Sequence, residues 1–175
     1  MLEIVVAAYK EDLNWLEDFS EFKTTVYSKG PTNKGVQLPN IGREAHTFIY
    51  HIHNNYENLN DTCFLQGNPF DHCTGLKHAT LNYKDFTPLG EILKCDSLGY
   101  PHHYLPSIRE TMKELELPLK DELTFIKGAQ FIAKKEVLLK YPKSFYAKAL
   151  DIVVKEELMP YVFERFWYIM YNHDL

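Results

Sequence analysis

The chain has 175 residues, of which 45% are hydrophobic and 14% aromatic, and this is enough for the core of one ordinary domain. Its net charge is −5, from 19 basic and 24 acidic residues. Nucleic-acid-binding proteins normally carry a basic excess, so this balance argues against a nucleic-acid partner. We expect a single domain over residues 1–175.

The cysteines and the hydropathy pattern indicate a reduced, cytoplasmic protein. Cys63, Cys73 and Cys95 form no CxxC pair, and their odd number argues against a disulfide framework or a zinc knuckle. No apolar run approaches ~18 residues, so we expect no transmembrane segment. No basic region precedes the first apolar run, so we expect no signal peptide.

The first part of the chain alternates strands with polar turns. Residues 2–8 form a continuous β-branched run that is typical of a central parallel strand, and Asp12 can cap a short helix over 13–19. A second strand over 22–27 is followed by Lys29, which is either a phosphate contact or a solvated turn lysine. This order is typical of nucleotide-binding α/β folds, although the GxGxxG and P-loop motifs are both absent.

An amphipathic helix is predicted over residues 42–56. Apolar residues recur there at helical spacing, at Ile41, Ala45, Phe48, Ile52 and Tyr56. Arg43 and Glu44 lie off this stripe in the first turn, where free backbone N–H groups favour an anion. His51 and His53 resemble a metal pair, but on a helix they point about 200° apart, so we expect hydrogen-bonding or surface roles for them.

A buried strand over residues 62–65 runs directly into a polar loop, 66–72, which reads QGNPFDH. Polar residues at the end of a buried strand are where α/β proteins place their sites. Asp71 and His72 offer an oxygen and a nitrogen ligand side by side, which suits a metal ion. The alternative is that Asp71 caps a short helix and His72 is merely a polar residue.

The second half of the chain is predicted to be mostly helical after a region of weak periodicity. Helices are predicted over 107–115, 134–141, 144–153 and 161–171, a loop over 34–39, and two short strands or one bent strand over 123–126 and 130–133. The first of these helices carries a capping-box pattern, Ser107 with Glu110. The last is strongly aromatic and contains Glu164 and Arg165, either a core salt bridge or a catalytic carboxylate with its partner.

Four segments together resemble a family of domains whose function is not assigned, and the resemblance covers nearly the whole chain. The segments are NIGREAHTFIYHI, FLQGNPFDH, KGAQFIAKK and ERFWYIMY, in this order. That family is similar in fold to the A-type (GT-A) glycosyltransferases. The resemblance implies an α/β fold with three layers, α/β/α, around a mixed, mostly parallel sheet. It also implies transfer of a sugar from a nucleotide-diphosphate sugar, with a UDP-sugar favoured, to a hydroxyl of an unknown glycan or protein acceptor.

The same resemblance implies roles for particular residues. Those placed at the nucleotide are Tyr9, Lys29, Arg43, Glu44, His46, Gln66 and Gly67, and those placed at a metal are Asp71, His72 and His173. Glu164 takes the place of the base that deprotonates the acceptor hydroxyl, with Arg165 beside it.

The loop that should hold the metal departs from the A-type pattern. QGNPFDH stands where these transferases typically carry Asp-x-Asp. One carboxylate and one imidazole suit Mn²⁺ better than Mg²⁺, which prefers oxygen ligands. Without a metal, Lys29, Arg43 or Arg165 would neutralise the leaving diphosphate. Two other functions stay open, namely a non-catalytic nucleotide-sugar-binding module of the same fold and a metal-dependent hydrolase built on Asp71 and His72.

Overall fold

The computed structural model of the chain describes residues 1–31 and 34–172. Its main sheet has six strands: β1 (Leu2–Ala8), β2 (Lys23–Ser28), β3 (Val36–Gln37), β4 (Asp61–Gln66), β5 (Phe86–Pro88) and β8 (Phe131–Ala133). Their order across the sheet is β3-β2-β1-β4-β8-β5. A separate antiparallel ribbon joins β6 (Ile92–Asp96) to β7 (Glu122–Ile126). The first four strands of the main sheet are mutually parallel, and β8 pairs antiparallel with both β4 and β5. The expected α/β class with a mixed, mostly parallel sheet is confirmed.

Seven α-helices of the described residues pack around the sheet. They are α1 (Arg43–Asn54), α2 (Leu76–Leu81), α3 (Ile108–Glu114), α4 (Lys135–Leu138), α5 (Lys143–Val153), α6 (Met159–Glu164) and α7 (Trp167–Tyr171). None of the helices in 1–31 and 34–172 is long and apolar enough to cross a membrane.

The central strands β1 and β4 are buried on both faces, because their side chains alternate between two apolar clusters. Leu2, Ile4 and Val6 pack with Leu76 of α2 and with Phe19, in a 3-10 helix over Asn14–Phe19. On the other face, residues such as Val5 and Phe64 pack against α1, α5, α6 and α7. This two-sided burial explains why β1 and β4 read as continuous apolar runs in the sequence.

Several predicted elements agree with the structure, but the predicted helix over 161–171 is wrong. It is two helices, α6 and α7, with Arg165 and Phe166 between them. Val162, Phe163, Arg165, Phe166 and Trp167 are all at most 1% exposed. Residues so close in sequence point to all sides of a straight helix, so the break lets each of them reach the core.

Three further expectations need correction. The predicted loop over 34–39 contains β3, which pairs with β2. Ile41 lies before α1 and is 44% exposed, because the left-handed backbone of Gly42 turns it away from the buried stripe. The Ser107 capping box does not form, since its hydroxyl donates to Glu156 instead. For the two apolar runs after residue 121, the alternative of two strands is confirmed: they are β7 and β8, in different sheets.

Candidate functional site

A cleft of about 360 Å³ opens at the carboxyl edge of the parallel strands. It lies where β1, β2 and β4 end and α1 begins, which is where open α/β sheets bind ligands. Its lining residues are Ala7, Ala8, Tyr9, Glu11, Lys29, Asn40, Arg43, Glu44 and Gln66. Five of the seven residues predicted to contact a nucleotide are therefore brought together, and the other two, His46 and Gly67, lie directly behind them. Asn40 and Glu11 were not among the predicted site residues.

One wall of the cleft is a tight loop built on the carboxylate of Glu11. Its Oε2 accepts hydrogen bonds from the backbone N–H groups of Tyr9 (2.6 Å) and Lys10 (3.0 Å). A Cβ on Gly67 would come within 2.5 Å of that same oxygen, so any larger residue there would displace the Glu11 carboxylate from the loop. The Gly67 carbonyl accepts a hydrogen bond from the indole N–H of Trp15 at 2.9 Å. These contacts fix the loop that carries Tyr9, whose ring is 45% exposed at the cleft.

The opposite wall is the start of α1, where two successive residues have left-handed backbone. Gly42 has φ 62° and Arg43 has φ 47°, which is unusual for a residue with a side chain. The ammonium group of Lys29 lies inside this turn. It donates to the carbonyl oxygens of Ile41 and Arg43, the latter at 2.6 Å, and to Nδ1 of His46 at 3.1 Å.

These contacts alter the protonation of Lys29 and His46. Burial lowers the pKa of Lys29 to about 8, and the carboxylate of Glu44 opposes that shift. Burial also lowers the pKa of His46 to about 4, with a smaller contribution from the Lys29 charge. His46 is therefore a neutral imidazole near pH 7, and its Nδ1 is free of a proton when it accepts the bond from Lys29. Both side chains face the turn. This differs from the expectation that they contact a nucleotide.

Arg43 and Glu44 present opposite charges to the cleft. The Arg43 guanidinium donates to the hydroxyl of Tyr161 at 2.8 Å and lies 5.2 Å from the centre of that ring. Its Nε is 3.7 Å from Oε2 of Glu44, whose side chain is only 14% exposed. Burial raises the pKa of Glu44, and the nearby carboxylate of Glu164 raises it further. A hydrogen bond from the backbone N–H of Glu44 and the charge of Arg43 lower this pKa and so oppose the rise.

Glu164 and Arg165 form an ion pair in the second half of the chain. The Arg165 guanidinium donates to the Glu164 carboxylate, is 1% exposed, and stacks 3.8 Å from the ring centre of Phe125. One Nη also lies 3.5 Å from Nδ1 of His103, whose ring packs on Tyr161. The salt bridge that the sequence left open is thus present. Glu164 lies close enough to Glu44 to influence its pKa, but neither Glu164 nor Arg165 lines the cleft.

Asp71 and His72, at the end of the loop that follows β4, do not line the cleft. They line a separate hollow with His78 and Glu91. Asp71 sits in a 3-10 helix over Pro69–Asp71, and the ring of His72 packs against Gly128. Within residues 1–31 and 34–172, no three His, Cys, Asp or Glu side chains are grouped so that they could hold a metal ion. The third predicted ligand, His173, lies outside the described residues.

Two glutamines explain how the loop after β4 is held. The backbone N–H of Gln66 donates to the side-chain oxygen of the buried Gln130 at 2.9 Å. The side-chain amide of Gln66 donates to the carbonyl of Gly128, also at 2.9 Å. The Gln130 amide then donates to the carbonyl of Pro69 at 3.0 Å. The sequence motif GAQF thus contributes a buried amide that fixes the QGNPFDH loop, a role that nothing in the pattern of the sequence indicated.

A family model described as a protein of unknown function (DUF3431) matches residues 4–82. The matched range contains all of the cleft residues and also Asp71 and His72, whereas Glu164 and Arg165 lie beyond it. Comparisons with curated proteins and with solved structures found no match. The expected likeness to a domain of unknown function is therefore supported over this range, and the likeness to A-type glycosyltransferases stays a prediction.

Proposed function

We propose that the cleft binds a nucleotide-diphosphate sugar, with a UDP-sugar favoured, and that the protein is a glycosyltransferase of the A-type fold. The observation that carries the proposal is the position of the cleft. An aromatic ring, Tyr9, and a cation held at a helix start, Arg43, converge at the carboxyl edge of parallel strands. A ring and a cation of this kind suit the base and the diphosphate of a nucleotide.

The proposed donor lies along the cleft from Tyr9 to Arg43. The uracil ring stacks on the exposed face of Tyr9, whose loop is fixed by Glu11. The diphosphate faces the guanidinium of Arg43 at the start of α1. As the bond from the sugar to the diphosphate breaks, negative charge grows on the leaving phosphate, and the Arg43 cation stabilises it.

The acceptor hydroxyl must lose a proton, and Glu164 is the proposed base. Its carboxylate is near enough to Glu44 to raise the pKa of that group, and the buried Arg165 holds it in position. In an inverting transfer the hydroxyl oxygen attacks the anomeric carbon, its proton passes to Glu164, and the nucleoside diphosphate leaves with the bonding electron pair. Arg165 acts through Glu164, since its guanidinium is buried.

The described residues do not fit the expected Mn²⁺ or Mg²⁺ site. Asp71 and His72 line a hollow separate from the cleft, and within 1–31 and 34–172 no third ligand is grouped with them. The proposed transfer therefore uses no metal ion.

A second candidate is a nucleotide-sugar-binding module that performs no transfer. The observation in its favour is that Asp71 and His72 lie away from the cleft, while the proposed base is already ion-paired with Arg165. Both candidates require nucleotide binding in the cleft, and they differ in whether Glu164 is needed for turnover.

Thermal unfolding with UDP, GDP and CMP, each with and without Mn²⁺, tests nucleotide binding. We expect UDP to raise the melting temperature most. Arg43→Met should weaken UDP binding about tenfold or more, because a hydrogen bond to a charged group is lost. Arg109→Met is the matched control, since Arg109 pairs with Asp121 on the surface and does not line the cleft. No response to any nucleotide contradicts both candidates.

Release of UDP from UDP-sugars, with a panel of hydroxyl acceptors, separates the transferase from the module. We expect Glu164→Gln to retain UDP binding, because glutamine can still accept a bond from Arg165. The same variant should lose turnover about a hundredfold or more, which is the usual effect of removing a general base. Binding without any turnover in the wild-type protein favours the module.

A further inference from the structure

The ammonium group of Lys29 is fully engaged by the turn that starts α1. An ammonium has three donors, and three acceptors surround this one: the carbonyls of Ile41 and Arg43 and Nδ1 of His46. A phosphate could take one of these donors only if a bond to the turn were broken. Lys29 and Arg43 both line the cleft, but the Lys29 ammonium is engaged by the turn, whereas the Arg43 guanidinium donates to the hydroxyl of Tyr161.

The turn needs such support because its backbone is left-handed at two consecutive residues. Arg43 carries a side chain at φ 47°, a conformation that only glycine adopts without strain. The two carbonyls that Lys29 binds belong to residues on either side of Gly42, so the lysine bridges the turn from within. His46, one helical turn later, supplies the third acceptor, and its ring also packs 6.0 Å from that of Tyr50.

We propose that Lys29 and His46 are positioning residues, which hold the Gly42–Arg43 turn so that the Arg43 guanidinium faces the cleft. Neither side chain contacts the bound ligand. This assigns the two residues a role different from the direct phosphate contact that their place in the sequence indicates. The part of the inference that concerns ligand affinity rests on the proposed function, whereas the part that concerns the turn does not.

Limited digestion with trypsin tests the turn without any ligand, because trypsin cleaves after Arg43. We expect Lys29→Met to speed cleavage of the Arg43–Glu44 bond about tenfold, since a turn that opens locally becomes accessible. Cleavage after Arg109, followed by mass spectrometry in the same digest, reports global unfolding and should stay unchanged. Lys10→Met removes the same charge from a neighbouring loop and should leave both rates at the wild-type level. Equal rises at both bonds, or no rise after Arg43, overturn the inference.

A double-mutant cycle on UDP affinity distinguishes positioning from direct contact. We expect Lys29→Met to weaken UDP binding in the wild-type background and to have no further effect in the Arg43→Met background. A lysine that contacts phosphate directly gives two effects that add, and that result overturns the inference.

The trypsin digestion also covers two other outcomes: a Lys29→Met variant that does not fold, and a wild-type protein that binds no nucleotide. If Lys29→Met does not fold, His46→Phe removes one acceptor while keeping an aromatic ring beside Tyr50, and we expect the same selective cleavage after Arg43. If the wild-type protein binds no nucleotide, the proposed function fails, and the trypsin digestion alone decides whether Lys29 and His46 hold the turn.

Discussion

At the scale of single residues, Glu44 decides how well the cleft accepts an anion. Of the two basic residues that line the cleft, Lys29 is engaged by the turn, which leaves Arg43 to face two acidic residues, Glu11 and Glu44. Glu11 is tied to its own loop, but Glu44 lies beside Arg43, where a diphosphate would bind. Burial, and then the neighbouring Glu164, raise the pKa of Glu44 against the opposing effect of Arg43, so its neutral form is unusually accessible.

We therefore expect the binding of UDP-glucose to be linked to uptake of a proton by Glu44. A bound diphosphate raises the pKa of Glu44 further, so affinity falls as the pH rises through the already raised pKa of this group. Glu44→Gln should tighten binding by roughly threefold to tenfold above that pKa, because it removes a nearby like charge. It should also flatten the dependence on pH.

Calorimetric titration with UDP-glucose between about pH 5 and pH 8 measures this effect, since the diphosphate diester does not itself titrate in that range. Glu157→Gln, an exposed change that does not line the cleft, should keep the wild-type profile. Weaker binding by Glu44→Gln would show instead that its carboxylate is needed as a hydrogen-bond acceptor for the ligand.

At the scale of elements, segments with a clear apolar pattern could mostly be predicted, whereas some short segments without one could not. β1 was predicted with the same ends as the structure shows, and α1 and α5 to within a few residues, because burial imposed a clear pattern on each. By contrast, α2 and β5 are six and three residues long, too short to show a period. Their conformation depends on pairing with distant parts of the chain, such as β8.

The site was predictable to the same extent. The family resemblance placed Tyr9, Lys29 and Gln66 at one ligand, and they do line one cleft, because each lies at the carboxyl end of a parallel strand on the same edge of the sheet. The inward direction of Lys29 depends on a left-handed turn at Arg43, which no pattern of residue types indicates. The separation of Asp71 from the cleft depends likewise on Gln130, which is far away in the sequence.

Arg165, which lies between α6 and α7, is expected to stabilise the fold as well as to position the proposed base. We expect Arg165→Met to lower the free energy of unfolding by about 3 kcal/mol, because it leaves the mostly buried carboxylate of Glu164 without its cation. The double variant Glu164→Gln with Arg165→Met should lose less, since it leaves no unpaired charge. Urea denaturation measures both. Arg109→Met, which breaks an exposed pair with Asp121, should cost under about 1 kcal/mol. Equal losses for Arg109→Met and Arg165→Met would contradict the assignment of a buried pair.

At the scale of the whole molecule, two buried histidines on α1 make the fold sensitive to acid. His46 and His51 are 7% and 1% exposed. Burial lowers the pKa of each to about 4; the carboxylate of Glu3 opposes the shift at His51, and the charge of Lys29 assists it at His46. His51 shares a 2.9 Å hydrogen bond with the hydroxyl of Tyr27 through Nδ1, and its Nε2 has no hydrogen-bond partner within the part of the chain that the structure describes. A proton added to that ring would be buried without an acceptor.

We expect the protein to lose stability steadily as the pH falls from about 6.5 to about 4. In this window the unfolded chain binds protons at both histidines while the folded protein does not. Protonation therefore lowers the free energy of the unfolded state relative to the folded one. The loss is about 2 kcal/mol per histidine at pH 5. Urea denaturation at pH 7 and pH 5 measures it, and His46→Phe should remove about half of the difference. His78→Asn, at an exposed position on α2, should leave it unchanged. Equal stability at pH 7 and pH 5 would mean that water reaches these rings in the folded protein. It would also mean that the start of α1 is too loosely packed for Lys29 and His46 to hold the turn.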